Sequence, residues 1–314
     1  MEVGSAPPIA GGRNSRTARL RRGRRNTVAG YLFVGPAILH TVVFMLVPAV
    51  AALYFSFTRW DMLSPAEWVG LRNYTEILTD SQLYPDFWKS VRVTLLYTVL
   101  AVPVSLLTGF VQAYLIDMVR KGQSFYRLAF YLPVVTAEAA VAAIWLWLYD
   151  SRFGLLNAAL GVVGVEGPDY LGTPGLVVPA LALIAAWQSG TAMLIFLAGL
   201  KGIPKSYYEA AEIDRAGRWQ RLVHITLPLL RPTTFYLVVT GVIASLQMFG
   251  LVYVLFKSNA GPERSGLSYV LHLYLFGYRD GLMGPASAMS FLLFVTILIV
   301  TWAQFRLARR RNGE

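Results

Sequence analysis

Six long, nearly uncharged segments restrict the fold of this 314-residue chain more than any other feature. They cover residues 26–58, 93–116, 128–149, 170–200, 232–256 and 281–305. Each supplies the roughly 20 apolar residues that a helix needs to cross a bilayer. Because a helix satisfies its own backbone groups where water is absent, the sequence predicts an all-α membrane protein with six transmembrane helices. The first segment is too long for the apolar part of a signal peptide and is interpreted as a retained span.

Composition and motifs exclude several classes of function. Only 14% of the residues are charged, against about 25% in typical soluble domains. The chain has no cysteine, which excludes disulfides, thiolate metal sites and cysteine catalysis. Phosphate-binding loops, zinc-protease helices and nucleophile elbows have no match, and His40, His224 and His272 are far apart. The sequence therefore predicts no catalytic site and no bound metal or cofactor.

Lysine and arginine are distributed unequally between the two sides of the predicted bundle. One side carries 20 of them, seven in residues 1–25, and the other side carries 8. The positive-inside rule therefore places both termini in the cytoplasm. The predicted divisions are a basic tail (1–28), a membrane domain (29–306) with a cytoplasmic loop at 201–228, and a second basic tail (307–314). Nucleic-acid binding is an alternative for the N-terminal run RTARLRRGRR, but its position beside a span favours a topology signal that contacts anionic lipid.

A charged stretch, SYYEAAEIDRAGRWQRLVHITLPLL, separates the fourth and fifth apolar segments. Ser206 and Glu209 have the spacing of a capping box, which predicts the start of a helix. Trp219, Leu222 and Val223 share one face of a second short helix. The stretch is therefore a predicted helix–turn–helix on the cytoplasmic surface. A basic amphipathic helix of this kind fits two roles equally well, resting on lipid headgroups or docking on a partner protein.

The residues EAAEIDRAGRWQRLVHITLP resemble the EAA loop of membrane subunits of ABC importers. The residues in register with that pattern are Glu209, Ala210, Ala211, Ile225, Leu227 and Pro228. Flanking segments, among them FVGPAILHTVVFMLVPAVAALYFSFTRWD, WVGLRNY, FYLPVV and LAGLKGIP, resemble carbohydrate-importer permeases of the maltose and glycerol-phosphate type. The resemblance covers about residues 30–310.

This resemblance implies an ABC importer permease fold in which the charged stretch is a coupling loop. The chain would be one permease subunit of a binding-protein-dependent importer for a sugar, oligosaccharide or sugar-like polyol in the bacterial plasma membrane. It would work with a second permease subunit, a cytoplasmic ATP-binding cassette ATPase dimer and an extracytoplasmic sugar-binding protein, and would contact lipid but no nucleic acid. The residues expected to couple to the ATPase are Glu209, Ala210, Ala211, Asp214, Arg215 and Gly217.

Two positions depart from the family pattern. Arg215 occupies the place of the family's glycine, which suits a left-handed turn that costs other residues about 1–2 kcal/mol. We expect Gly217, two residues on, to take over the turn; otherwise Arg215 itself adopts the strained conformation. The second departure is Pro285, where relatives usually carry an aromatic residue.

Polar stripes along the spans are the candidates for a substrate pathway. One stripe in the second span contains Thr94, Thr98, Ser105, Thr108 and Gln112, and one in the fifth contains Thr233, Thr240 and Gln247. Interhelical hydrogen bonding is the alternative role for each Thr and Ser. The resemblance implies that the helices on either side of the loop contact the sugar. The resulting pathway candidates are Gln247, Trp187, Gln188 and Thr240.

Glu138 interrupts the third apolar segment. A carboxylate in the middle of a membrane costs about 2.5–3.5 kcal/mol on insertion scales, so it should be paired, protonated or exposed to water. A functional carboxylate here would suit a proton- or cation-coupled secondary transporter, which is the alternative function. The carboxylate could also face a partner chain.

Overall fold

The computed structural model describes residues 31–312, so the predicted basic tail 1–28 lies outside the described residues. The helices are α1 (Tyr31–Ser56), α2 (Arg72–Thr79), α3 (Phe87–Met118), α4 (Gln123–Val135), α5 (Glu138–Leu148), α6 (Leu155–Val162), α7 (Pro174–Trp187), α8 (Gly190–Lys201), α9 (Lys205–Ile213), α10 (Arg218–Arg221), α11 (Arg231–Leu246), α12 (Gly250–Phe256), α13 (Tyr269–Tyr274) and α14 (Met283–Asn312). Two-residue strands, β1 (Thr58–Arg59) and β2 (Glu67–Trp68), pair antiparallel. Within the described residues, 31–54 and 55–312 belong to separate compact units.

Short π-helical and 3₁₀ turns extend several of these helices. Helix α10 continues through the π turn Leu222–Thr226 into Leu227–Leu229, and α13 continues through the π turn Leu275–Arg279. Two 3₁₀ turns, Lys257–Asn259 and Pro262–Arg264, connect α12 with α13. The described chain is therefore helical almost throughout, apart from the small β1–β2 ribbon.

Four stretches are long and apolar enough to cross a membrane without a sharp bend: α1, α3, α14, and α11 followed by α12 after a break at 247–249. Two bent pairs, α4 with α5 and α7 with α8, also meet the length and composition required when each pair is taken as one span. The total is then six, and the predicted all-α membrane fold is confirmed. The long apolar sequences account for this result, because only helices can satisfy the backbone within lipid.

The third and fourth spans are not the continuous helices that the sequence predicts. Helices α4 and α5 meet at an angle of 98°, and α7 and α8 at 46°. Pro133 supplies no backbone donor inside α4, and the Thr136 hydroxyl donates to the Leu132 carbonyl at 2.9 Å. Both features weaken the helical ladder just before the bend, which explains why the helix ends at Val135.

Helix α3 is the central element of the second unit, because α7, α8 and α11 all pack against it. Gly109 marks its closest approach to α8: a Cβ at this position would lie 2.8 Å from the Ala192 Cβ and 3.0 Å from the Met193 nitrogen. Small residues at such a crossing allow two helices to approach closely within a membrane. Gly109 therefore sets the spacing between α3 and α8.

The segment between the first two spans is anchored by buried hydrogen bonds. The Asn73 side-chain amide, in α2, donates to the carbonyls of Ser56 and Thr58 at 2.8 Å each. The Gly284 amide at the start of α14 donates to the Trp60 carbonyl at 3.1 Å. Pro285 falls in the first turn of α14, where a helix leaves its amides unpaired, so this departure from the family pattern costs no hydrogen bond.

Candidate functional site

A cavity of about 560 Å³ lies where three of the spans are interrupted. Its polar lining residues are Tyr97, Ser105, Glu138, Gln188, Ser245 and Gln247. Apolar side chains, among them Phe249 and Leu251, form the rest of the wall. An apolar wall with a few polar groups is typical of small-molecule sites, and the volume is within their usual range.

The carboxylate and the two amide side chains of the cavity all come from helix interruptions. Glu138 begins α5 after the sharp bend, Gln188 follows the last residue of α7, and Gln247 follows the last residue of α11. Non-helical backbone at membrane depth is tolerated where it is buried in protein or lines an aqueous cavity. The interruptions therefore explain both the presence of the cavity and the polarity of its wall.

The structure separates the four predicted pathway residues into two pairs. Gln247 and Gln188 both line the cavity. Trp187 packs edge-to-face on Trp145, with ring centroids 5.8 Å apart, and Thr240 donates to the Tyr236 carbonyl of its own helix at 2.9 Å. Neither of these two side chains belongs to the cavity lining.

Some residues of the polar stripe on α3 make hydrogen bonds to other segments, and one lines the cavity. Thr94 accepts a hydrogen bond from the Tyr269 amide at 2.8 Å, and Gln112 accepts one from the Ser189 hydroxyl at 3.2 Å. Ser105 lies between them along α3 and lines the cavity. The alternative of interhelical hydrogen bonding is therefore correct for Thr94, and a pathway position fits Ser105.

Ser245 and Phe249 line the cavity and were not among the sequence candidates. Both lie beside Gln247, at the interruption between α11 and α12. The local sequence signals that interruption only weakly, since Leu246–Gly250 contains no proline and a single glycine is tolerated in a helix. The predicted stripe Thr233–Thr240–Gln247 therefore assumed a continuous helix up to Gln247, whereas α11 ends at Leu246.

The charged stretch forms the predicted helix–turn–helix, but its cap differs from the prediction. Helix α9 begins at Lys205, with Pro204 as its cap residue and no side-chain capping bond. The expected Ser206–Glu209 capping box is therefore wrong. Proline fixes a φ suited to the start of a helix, so the chain enters α9 without a side-chain cap. Glu209 is left exposed at the surface.

Arg215, not Gly217, makes the left-handed turn after α9. Its φ is +54°, whereas Gly217 has φ −67° and ψ 165°, which is extended backbone. The Ala216 amide donates to the Ala211 carbonyl at 2.8 Å, and the Arg215 amide donates to the Glu212 carbonyl at 3.0 Å. This pair of bonds is the Schellman motif, which normally has glycine at the position of Arg215. The expectation that Gly217 takes over the turn is wrong, because the bonds of this motif place the left-handed residue at 215.

Side-chain contacts hold the two helices of the loop together. The Arg221 guanidinium pairs with Glu212 at 2.7 Å and also donates to the Ala216 carbonyl at 2.9 Å. The hydroxyls of Tyr208 and Thr226 lie 2.9 Å apart, and Ala211 is buried. The helix–turn–helix is therefore an internally braced unit.

The outer surface of the loop combines charge with apolar area. Trp219 is 74% exposed and Ile213 is 83% exposed. Ala210, Asp214, Arg215 and Gly217 are also exposed. Of the predicted apolar face, only Leu222 and Val223 are half-buried, so Trp219 points away from the chain. Exposed apolar side chains on a braced loop are typical of a protein–protein contact.

His272 is a buried histidine in α13, outside the spans. Its Nε2 has no hydrogen-bond partner within residues 31–312. Burial lowers the pKa of His272 to about 4, and this effect outweighs the opposing influence of the Asp86 carboxylate. The side chain is therefore neutral at physiological pH, and no cluster of three or more metal-binding side chains occurs in the described chain.

Interrupted spans around a polar cavity, together with a braced surface loop, define a membrane transport subunit. A family model for the "Binding-protein-dependent transport system inner membrane component" matches residues 87–313. The chain belongs to this family, among the permeases of carbohydrate ABC importers. The family predicted from the sequence is thereby confirmed.

Relatives match over nearly their whole length. A probable ABC transporter permease protein, YesP, of Bacillus subtilis is 36% identical over 285 residues, which is 90% of this chain and 91% of that protein. The sn-glycerol-3-phosphate transport system permease protein UgpA of Agrobacterium fabrum is 34% identical over 290 residues, or 91% and 96% of the two chains. The trehalose/maltose transport system permease protein MalF of Thermococcus litoralis is 31% identical over 301 residues, or 95% and 99%.

The fold also matches a solved structure. A chain in the crystal structure of a bacterial ABC transporter that imports the acidic polysaccharide alginate aligns with a TM-score of 0.80. The alignment covers 93% of this chain and 99% of that chain at 21% sequence identity. At this identity the match shows that the two chains share the ABC importer permease fold.

Proposed function

We propose that this chain forms one half of the translocation pathway of an ATP-driven importer for a sugar, oligosaccharide or sugar-like polyol. The observation that carries this proposal is the polar cavity at the three interrupted spans. Its amides and hydroxyls both donate and accept hydrogen bonds, which suits the hydroxyl groups of a saccharide. Phe249 and Leu251 supply apolar surface for the faces of a sugar ring.

Coupling to ATP hydrolysis is assigned to the loop at 201–228. Its exposed Trp219 and Ile213 would enter a groove on a separate cytoplasmic ATPase, while Glu209, Asp214 and Arg215 supply charge at the rim. Because the Arg221–Glu212 ion pair links the two helices, the loop would move as one unit and transmit its displacement to the spans. Movement of the loop would then switch the cavity between inward-facing and outward-facing states.

The proposed assembly contains further subunits. A second permease subunit would complete the pathway. An extracytoplasmic sugar-binding protein would deliver the substrate; the alginate importer of the same fold was solved in complex with an alginate pentasaccharide-bound periplasmic protein. The excess of Lys and Arg on one side supports a cytoplasmic location for both termini of the multi-pass chain, which we assign to the plasma membrane.

Replacement of Gln247 tests the role of the cavity. Gln247→Ala removes a donor and an acceptor at the cavity wall, so transport should fall at least about tenfold, the cost of losing one or two hydrogen bonds. Assembly and basal ATPase activity should be unchanged, and stimulation by substrate-loaded binding protein should be weak. Gln82→Ala, the same change on an exposed loop, is the matched control. Unaltered transport kinetics in Gln247→Ala would remove the cavity from the pathway.

The alternative function, a secondary transporter driven through Glu138, keeps one supporting observation, which is that Glu138 lines the cavity. Membership in a binding-protein-dependent family favours the ATP-driven importer. The two mechanisms give opposite results in uptake assays. Collapse of uptake by a protonophore at constant ATP would support the secondary transporter, and inhibition by vanadate would support the importer.

A further inference from the structure

Glu138 has a chemical setting that the general function of a sugar permease does not explain. It is the single carboxylate among the residues of the described chain that line the cavity, and no Lys, Arg or His lines it. All other polar groups of the wall are amides and hydroxyls. An ionisable residue inside a membrane-spanning region is energetically costly, so its presence there points to a function.

The charge of Glu138 is not neutralised by a cation of the described chain. Within residues 31–312, the ion pairs are Arg72–Glu76, Arg221–Glu212, Arg264–Asp86 and Arg279–Asp280. None of them includes Glu138, and its side chain is exposed in the cavity. Its negative charge therefore acts on whatever molecule enters.

Gly250 provides the space that Glu138 occupies. A Cβ added at Gly250 would collide with the Glu138 Oε2 atom, so any larger residue at the start of α12 would displace the carboxylate. The backbone of Glu138 is held in the first turn of α5, directly after the bend. The carboxylate of α5 thus lies against the backbone at the start of α12, so two interrupted spans shape its place in the cavity.

We propose that Glu138 makes the cavity selective by charge, so that it accepts uncharged saccharides and rejects those that carry phosphate or carboxylate groups. This inference rests on the proposed function and names the substrate class for the same cavity. A carboxylate accepts strong, charge-assisted hydrogen bonds from the hydroxyl groups of a neutral sugar. Gln188 and Gln247 then orient the remaining hydroxyls.

The same carboxylate repels an anionic sugar. Two like charges about 5 Å apart at a protein–water boundary repel strongly enough to lower occupancy by tenfold to about a hundredfold. Relatives of this chain are named for both kinds of cargo, since sn-glycerol-3-phosphate is anionic whereas trehalose and maltose are neutral. Family membership therefore leaves the charge of the cargo open, and Glu138 decides it.

A charged-reagent experiment tests the field in the cavity without knowledge of the sugar. Because the chain has no cysteine, Ala244→Cys places a single thiol on an exposed position of the cavity wall. The full importer is reconstituted in proteoliposomes, and this thiol is modified with a cationic trimethylammonium methanethiosulfonate or with an anionic sulfonate methanethiosulfonate. The ratio of the two rates, divided by the ratio for free β-mercaptoethanol, reports the local charge, since any change in thiolate content affects both reagents equally.

We expect the cationic reagent to be favoured by about tenfold when Glu138 is present. Glu138→Gln should bring the ratio close to one, and Glu138→Asp, which keeps the charge, should preserve most of the preference. Equal rates for the two reagents with Glu138 in place would overturn the proposed selectivity. If neither reagent modifies the thiol while a cysteine at the 94% exposed Leu63 reacts, the cavity is closed to water and the proposed pathway fails instead.

Cargo identification completes the test. The saccharide bound by the cognate binding protein is identified by mass spectrometry and should be uncharged. Its uptake should fall several-fold in Glu138→Gln, because a neutral amide accepts weaker hydrogen bonds than a carboxylate. Import of a phosphorylated or uronic saccharide at full rate through the unaltered chain would overturn the proposal while leaving the importer function intact.

Discussion

Arg215 occupies a backbone conformation that should destabilise the coupling loop. Its φ of +54° lies in the left-handed region, which costs a residue with a Cβ about 1–2 kcal/mol. Arg215→Gly removes this penalty. Part of the gain is offset because glycine has more conformational entropy in the unfolded chain, which it loses on folding. The net stabilisation of the turn should be about 1 kcal/mol, which corresponds to about a fivefold change in the equilibrium for opening the turn.

Hydrogen–deuterium exchange of the loop amides measures this change directly. The amides at 215 and 216 donate to the Glu212 and Ala211 carbonyls, so their protection reports whether the turn is closed. In Arg215→Gly, protection across this turn should rise about fivefold. Arg215→Ala removes the guanidinium but keeps the strain, and it should leave protection unchanged.

Gly217→Ala is the second control, because Gly217 is extended and an added Cβ would have the Gln220 Oε1 as its single close neighbour, at 3.7 Å. This variant should also leave exchange unchanged. Loss of protection in Gly217→Ala, combined with no gain in Arg215→Gly, would show that the left-handed turn belongs to Gly217 and would refute the reasoning.

Two further predictions concern the loop surface and α13. Trp219→Ala should weaken association with the ATPase subunit by roughly 2 kcal/mol or more, as expected for an aromatic anchor that becomes buried in the complex. Trp88→Ala, which changes another exposed tryptophan, should leave this association unchanged. Equal retention of the ATPase by both variants in a pull-down would contradict the docking role. Because the unfolded chain binds a proton near pH 6.5 that folded His272 binds only near pH 4, the free energy of unfolding should decrease as the pH falls through this interval, by up to about 3 kcal/mol. Denaturant titrations should show a flatter pH dependence for His272→Leu, with His40→Leu as the control; an unchanged slope would mean that His272 does not cause it.

Segment-level features of this protein follow from the sequence alone. The apolar stretches determine that the described chain is helical and membrane-spanning, because the solvent leaves no other arrangement for their backbone. The stretch from Glu209 to Pro228 determines the family, since its residues and their spacing are specific. Gln247 and Gln188 were also identified from sequence and line the cavity.

Two predictions for the loop at 201–228 were wrong, although each followed a general preference of residue types for helix ends and turns. Ser206 and Glu209 have the spacing of a capping box, yet Pro204 begins the helix without one. Glycine is the preferred residue for a left-handed turn, yet the hydrogen bonds at the end of α9 place that turn at Arg215. In both cases the sequence shows which residue would be favourable, whereas the backbone path decides which residue is used.

The cavity is the feature that only the tertiary structure decided. A helical period can be extended along a sequence indefinitely, so it cannot show that the chain stops being helical at 136–137, 188–189 and 247–249. Those interruptions are stable because other spans surround them, and packing among distant segments is not encoded in any one stretch. In the sequence, Glu138 is an isolated charge in an apolar segment. Its place beside Gly250 and the two glutamines arises because three helices end at the wall of one cavity.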